Sequence, residues 1–245
     1  FSSGHPIPNS NGLKAAKFIK NTLKNLDNDD LVLMLISGGG SALLPFPVNE
    51  ISLKDKILTN KLLLSSGANI KEINSVRKHL SQVKGGNLIK ICYPAKIHGL
   101  ILSDVIGDDL GSISSGMTTF DETSFSDVLS ILKKYKLWKK IPIKVKNYIS
   151  KGLNDINLET PKKNNKVFKE TTNTLIGSNR ICLKNIDSYC KKKKLNSKII
   201  FNDIDMDVKK FSQYFVKKIK TIKSKKPLIL LSGGETTVKL TGKGK

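Results

Sequence analysis

A chain of 245 residues that is 38% hydrophobic can bury a sizeable core, as one large domain or two modest ones. No apolar run approaches the roughly 18 residues of a membrane span, which argues against an integral helical membrane protein. The formal charge of +23 rests on 43 basic residues of which only Arg77 and Arg180 are arginine, whereas nucleic-acid sites lean on arginine for bidentate contacts and base stacking.

Residues 1–9 are turn-rich, with Pro6 and Pro8. Residues 11–26 carry helical spacing, with Leu13, Ala16, Phe18, Ile19 and Leu23 expected inward. Residues 31–36 are apolar without alternation, as in a strand buried on both faces of a parallel sheet, and run into Ser37, Gly38, Gly39, Gly40 and Ser41. Ser52 reads as the N-cap of a helix carrying Leu53, Ile57, Leu58, Leu62, Leu63 and Leu64, and Gly67 closes it. Helical spacing resumes over 70–80, breaks at 81–86 and returns over 87–91. Residues 98–102 form a short apolar strand leading into Ser103, Asp104 and Asp108. A polar loop at 113–119 precedes a helix that starts at Ser124 or Ser126 and ends near Tyr135.

Residues 152–172 are polar and poor in large apolar groups. Strands are then expected at 174–176, 198–201 and 228–231, with helices over 179–193 and 208–222 between them. The last strand feeds Ser232, Gly233, Gly234 and Glu235, a second Ser-Gly-Gly loop. This alternation predicts an α/β fold of two Rossmann-like lobes, mostly parallel in their sheets, with a cleft between them. The first lobe is expected over 1–155, the crossing over 156–172 and the second lobe over 173–245. The start at Phe1 and the close at Gly242–Lys245, inside a Gly-rich loop, read as those of an internal fragment.

Cys92, Cys182 and Cys190 lack zinc or disulfide spacing, so reduced thiols in a cytoplasmic protein are expected. The lysines are dispersed among abundant Asn and Ile, a compositional bias rather than a binding face, and no specific nucleic-acid or membrane partner is expected. A homo-oligomer stays open.

The chemistry concentrates in the loops that follow strands, where ligands of α/β sheets sit. Ser37 to Ser41 lacks the lysine of a Walker loop, yet three glycines in a row are costly for a simple turn and suit phosphate or carboxylate. Arg77, rare in this chain, is either an anion clamp or a helix-surface residue. Its neighbours Lys78 and His79 follow it, His79 reading as structural or solvated rather than as an acid–base group. Lys84 beside Gly85 and Gly86 combines a cation with pliant backbone. Asp104 and Asp108 could share Mg²⁺ with a substrate's phosphates, Asp104 could position a hydroxyl, or both could be caps. Glu235 adds a carboxylate to the second glycine loop.

In this order the pieces resemble the glycerate 2-kinase family, whose members are sometimes labelled hydroxypyruvate reductases. The matching stretches are 4–8, 35–44, 66–81, 84–86, 103–108, 115–116, 176–179 and 232–238, nearly the whole chain. The resemblance implies phosphorylation of D-glycerate, usually at the 2-hydroxyl, with ATP as co-substrate and Mg²⁺. It implies catalytic Asp104, Arg77 and Lys84, Mg²⁺ on Asp104 and Asp108, and substrate or phosphate on Ser37 to Ser41, Lys78 and Ser232 to Glu235. Asn9 stands where the family usually has Asp, and Met117 where it usually has Pro. The family's leading segment with a Gly-Lys-Ala motif and its later Gly-Gly-Arg-Asn-Gln have no counterpart here, so the isolated chain is expected to be inactive. Two rival readings are an NAD(P)H-dependent hydroxypyruvate reductase and a basic nucleic-acid-associated module. Against the first, no Gly-x-Gly-x-x-Gly follows any strand.

Overall fold

The computed structural model describes residues 1–238, so the Gly-rich close at 242–245 lies outside the described residues. In chain order the elements are α1 (Ser10–Thr22), β1 (Leu31–Ile36), the single turn α2 (Gly40–Leu43), α3 (Leu53–Ser65), α4 (Ile70–His79), α5 (Asn87–Cys92) and β2 (Lys96–Leu102). Then follow α6 (Phe125–Lys134), α7 (Ile143–Gly152), β3 (Thr171–Gly177), α8 (Asn179–Lys192), β4 (Ser197–Ile204), α9 (Val208–Thr221) and β5 (Ile229–Gly234). Two compact units result: one from Phe1–Leu102 and Asp109–Ile176, the other from Ser103–Asp108 and the chain from Gly177 onward.

The first unit holds a sheet in the order β1-β2-β3, with β1 parallel to β2 from Leu31 opposite Lys96 to Ile36 opposite Ile101. The second unit pairs β4 in parallel with β5. The expected α/β class with parallel strands is what forms. The burial of β1 differs from expectation. Met34 and Ile36 are buried, but Leu31, Leu33 and Leu35 are 68%, 56% and 76% exposed. An all-apolar run thus alternates in the fold, because among the described residues only one face of this strand is covered. Phe18, expected inward, is likewise exposed.

Segment 156–172, expected as a crossing, lies within the first unit and is tied to its interior. His79 places Nε2 2.7 Å from Glu159 Oε1 and Nδ1 2.8 Å from the Ser75 carbonyl, while its ring stands edge-on to Phe125. Thr160 donates to Asp121, and Lys162 bonds Thr160 and Glu159 as well as the Thr123 carbonyl. Burial pushes the Glu159 carboxyl up, but the His79 hydrogen bond and charge and the amides of Thr160 and Phe125 outweigh it, leaving it below the usual carboxylate range. The polar composition of this segment supplies partners to buried groups.

Apolar packing sits between α3, α4, α6 and α7, with Leu63, Val76, Leu80, Phe125, Val128, Leu132, Val145 and Ile149 at its centre. Asn69 and Glu72 cap the start of α4 reciprocally. Hydrogen bonds from Lys134 and then Tyr135 hold Glu72 down to about 2 and fasten that end of α4 to α6. One face of α4 is therefore fixed in the core and its other face is aimed at the loops.

Lys78 and Asp121 are both buried and pair at 3.4 Å, with Asp121 also accepting from Thr123. Removing one member of a buried pair leaves an uncompensated charge. Asp121→Ala is expected to lower stability by about 3–5 kcal/mol, read as a lower urea midpoint with an unchanged m-value.

Candidate active site

The Ser52 hydroxyl and the Asp55 carboxylate cap α3 reciprocally. From that start Lys56, Thr59 and Leu63 fall at helical spacing on one buried face. Leu58 and Leu64 of the same helix are exposed. On α4, Asn74 and Arg77 stand one turn apart. Arg77 Nε donates to Asn60 Oδ1 of α3 at 2.6 Å, and its Nη1 lies 3.5 Å from Asn74 Oδ1.

The first glycine loop closes on these helices. Gly39 has φ +77° at the start of α2, a conformation glycine adopts freely. Gly40 leaves no room for a Cβ, which would overlap the Ser114 hydroxyl. The Gly40 carbonyl accepts from Lys84 Nζ at 2.6 Å. Opposite, Ser114, Ser115 and Gly116 all carry positive φ, at 51°, 59° and 65°. Such a run is strained for the two serines and persists where the surroundings hold it. Here Ser114 Oγ donates to the Ser37 carbonyl, and Ser115 Oγ meets Ser41 Oγ at 2.6 Å while donating to Asn74 at 3.1 Å.

These segments enclose a cavity of about 280 Å³ in the first unit, lined by Gly39, Ser41, Lys56, Arg77, Lys84 and Ser115 among others. The rest of its wall is largely apolar, including Ile57, Leu63, Val76 and Leu80. Among the described residues no carboxylate lines it. Lys56 is 7% exposed and Lys84 1% exposed. Burial and then the Arg77 charge bring the Lys56 ammonium down to about 8. Burial, Lys56 and Arg77 push Lys84 well below the ordinary lysine range, and burial also lowers Arg77. Cations crowded in a poorly hydrated space repel one another, and a bound anion is the partner that relieves them.

The second unit gathers the acidic residues. Ser103, Asp104 and Asp108 line a smaller cavity of about 170 Å³ together with Asn179, Arg180, Asp203, Gly234 and Glu235. Arg180 pairs with Asp203 at 2.6 Å, and that bond, the Asp203 charge and more weakly Asp108 raise the guanidinium. Gly233 lies under the Asn179 side chain, which a Cβ would overlap, and Asn179 Nδ2 holds the Asn202 carbonyl at 2.6 Å. Asp104, Asp108 and Glu235 present hard oxygen donors of the kind Mg²⁺ takes. Among the described residues no three His, Cys, Asp or Glu side chains are grouped as a metal site.

The structure thus brings Gly39, Ser41, Arg77 and Lys84 together, with Ser37 and Gly40 contributing carbonyls to the loop contacts. Separately it brings together Asp104, Asp108, Gly234 and Glu235. Gly38, Lys78, Ser232 and Gly233 line neither cavity. Lys78 is turned to Asp121 and His79 to Glu159. Asn9, where the family usually has Asp, caps α1 by accepting from the Gly12 amide at 3.0 Å. Lys56, Asn60 and Asp203 escaped the sequence reading. Lys56 could have been found from its position four residues after the cap Ser52, on the face shared with Thr59 and Leu63.

Residues 1–150 match the family model described as "Domain of unknown function (DUF4147)". The chain is 40% identical to a Pyrococcus horikoshii protein named glycerate 2-kinase, over 99% of this chain and 55% of that protein. It is 36% identical to a Thermotoga maritima D-glycerate 2-kinase, over 100% of this chain and 57% of that protein. A rat glycerate kinase is 34% identical over 98% of this chain and 52% of its own length. A crystal structure of glycerate kinase from Thermotoga maritima superposes with a TM-score of 0.84 at 36% identity, over 99% of this chain and 57% of that one. A Pyrococcus horikoshii crystal structure also gives 0.84, at 39% identity and with 99% and 56% covered. The chain therefore spans about half the length of the curated relatives it matches.

The pH dependence of the cation cluster has a definite sign. Lys56 titrates near 8 in the fold and near 10.5 when unfolded, so between those values the unfolded chain binds more protons and stability rises with pH. Below pH 8 the buried charge opposes folding in full. Lys56→Met is expected to stabilise the ligand-free chain at pH 7 by on the order of 1–3 kcal/mol. That advantage over the parent should shrink as pH rises from 8 to 10.5, measured by urea unfolding at each pH.

Proposed function

This chain belongs to the DUF4147 family and has glycerate kinases for relatives, and from that premise we propose that it serves the transfer of the γ-phosphoryl group of ATP to a hydroxyl of D-glycerate, the 2-hydroxyl being the acceptor. The observation that carries this reading is the cavity in which Lys56, Arg77 and Lys84 meet the Ser37–Ser41 loop without a carboxylate. Such a site takes an anion, and both substrates are anions.

In this reading the bond from the γ-phosphorus to the bridging oxygen breaks, leaving ADP. A new bond forms from that phosphorus to the glycerate oxygen, whose proton leaves to a carboxylate. Arg77, anchored by Asn60, offers the rest of its planar fork to a carboxylate or phosphate. Lys84, fixed on the Gly40 carbonyl, adds charge where negative oxygens gather. Asp104 accepts the hydroxyl proton or shares the metal with Asp108. Asp104 and Asp108, with Glu235 beside them, are the residues that would hold Mg²⁺, which neutralises phosphate charge when bound. Cys92, Cys182 and Cys190 are free thiols and no helix among the described residues is long and apolar enough to cross a membrane, features that support a place in the reducing cytoplasm.

The test is coupled ADP release with ATP, Mg²⁺ and D-glycerate, in the protein that carries this chain, with the phosphoglycerate product identified. Glycerate-dependent turnover giving 2-phosphoglycerate is expected. Arg77→Lys, which keeps the charge but loses the planar fork, should lower kcat/KM at least tenfold. NAD(P)H oxidation on hydroxypyruvate without ADP release would overturn the assignment.

A further inference from the structure

Among the described residues, Lys56 is the cation of the first-unit cavity whose polar atom is left over. Lys84 already donates to the Gly40 carbonyl and Arg77 to Asn60. Lys56 Nζ is buried and, among the described residues, has no hydrogen-bond partner. An ammonium carries three donors, and leaving them unmet in a buried site is costly. Helix α3 nevertheless holds this side chain inward between Ser52 and Thr59, on the face that otherwise carries Leu63.

The ligand that answers this arrangement can be narrowed by counting charges and donors. One carboxylate offers a single charge and two oxygens. Lys56, the free edge of Arg77 and Lys84 together offer more donors and more charge than it can satisfy. A phosphoryl group presents up to two charges and three terminal oxygens, a closer fit in both respects. The apolar stretch of wall from Ile57, Leu63 and Leu80 leaves space for a carbon skeleton rather than a second charged group.

We propose that Lys56 is a third ligand, with Arg77 and Lys84, of a phosphoryl-binding site in this cavity, and that the site prefers a phosphate group to the carboxylate of glycerate. The inference deepens the kinase reading at the same site, and the group bound is either the phosphate of the phosphorylated product or a phosphate of the nucleotide. The lowered ammonium of Lys56, near 8, adds that binding weakens as pH rises through 8 to 9.

The experiment is isothermal titration of the protein that carries this chain with inorganic phosphate, D-glycerate, 2-phosphoglycerate and ADP at pH 7. It is repeated on Lys56→Met, on Lys56→Gln and on Lys133→Met, which removes an exposed lysine of α6 as a control for net charge. Circular dichroism verifies that each variant is folded. Phosphate is expected to bind the parent and Lys133→Met alike, and at least tenfold more weakly to both Lys56 variants. Displacement of phosphate by 2-phosphoglycerate would identify the product's phosphate, and displacement by ADP the nucleotide's. The proposal is overturned if folded parent chain does not bind phosphate, if either folded Lys56 variant binds it as the parent does, or if D-glycerate binds more tightly than phosphate. None of these readings depends on turnover, so an absence of ADP release would remove the kinase reaction while leaving the phosphoryl site standing.

Discussion

The hydrogen bond from the Lys84 ammonium to the Gly40 carbonyl joins the two sequence-distant pieces on which the first-unit site depends. It fixes the glycine loop against the segment after α4, and it does so with a buried cation. A neutral donor there would hold the loop equally well in geometry. A cation also sets the polarity of the space it faces, and Lys56 and Arg77 reinforce that polarity rather than cancel it. The serine turn at 114–116 completes the enclosure by gripping the same loop through Ser37 and Ser41. Strain, crowding and like charge coincide in one place, each opposed to folding, which is the usual mark of a site kept for its ligand.

Much of the architecture was legible because strands and helices announce themselves by period and caps. Ser52, Asn69 and Ser124 each start a helix with a reciprocal cap, and α8 and α9 lie close to where spacing puts them. Arg77 was legible through rarity alone. Lys78 illustrates the limit: it follows Arg77 directly, yet a helix turns about 100° per residue, enough to carry it from the cavity to Asp121. The partner lies 43 positions away, and nothing local to Lys78 reports it. Lys56 was missed for a related reason, since a lysine among leucines reads as the solvent edge of a helix until tertiary packing decides otherwise. The polar segment at 156–172 misled in the opposite direction, because Glu159 and Thr160 are polar in order to meet His79 and Asp121 inside.

The distribution of charge between the two units bears on how a very basic chain handles acidic chemistry. Carboxylates are scarce, 20 against 43 basic groups. Several of the described ones are spent on caps, as at Asp55, Glu72 and Asp127, or on buried pairs, as at Asp121 and Glu159. Against that economy, the gathering of Asp104, Asp108, Asp203 and Glu235 around one small cavity is uncommon for this composition. Only Asp203 among them has a cation bonded to it among the described residues. The two cavities are therefore of opposite character, one lined by cations without a carboxylate, the other mainly by carboxylates.

The exposed leucines of β1 bear on how the molecule behaves at high concentration. Among the described residues β1 ends the order β1-β2-β3, and its outer edge lies beside Leu31, Leu33 and Leu35. An edge of that kind is a template for pairing between copies. What opposes it is the excess of +23 positive charges, which keeps copies apart. That repulsion fades once salt shortens its reach to about 8 Å at physiological ionic strength. Lysines spread over the surface thus weigh against association of copies along this strand, and added salt weakens that opposition.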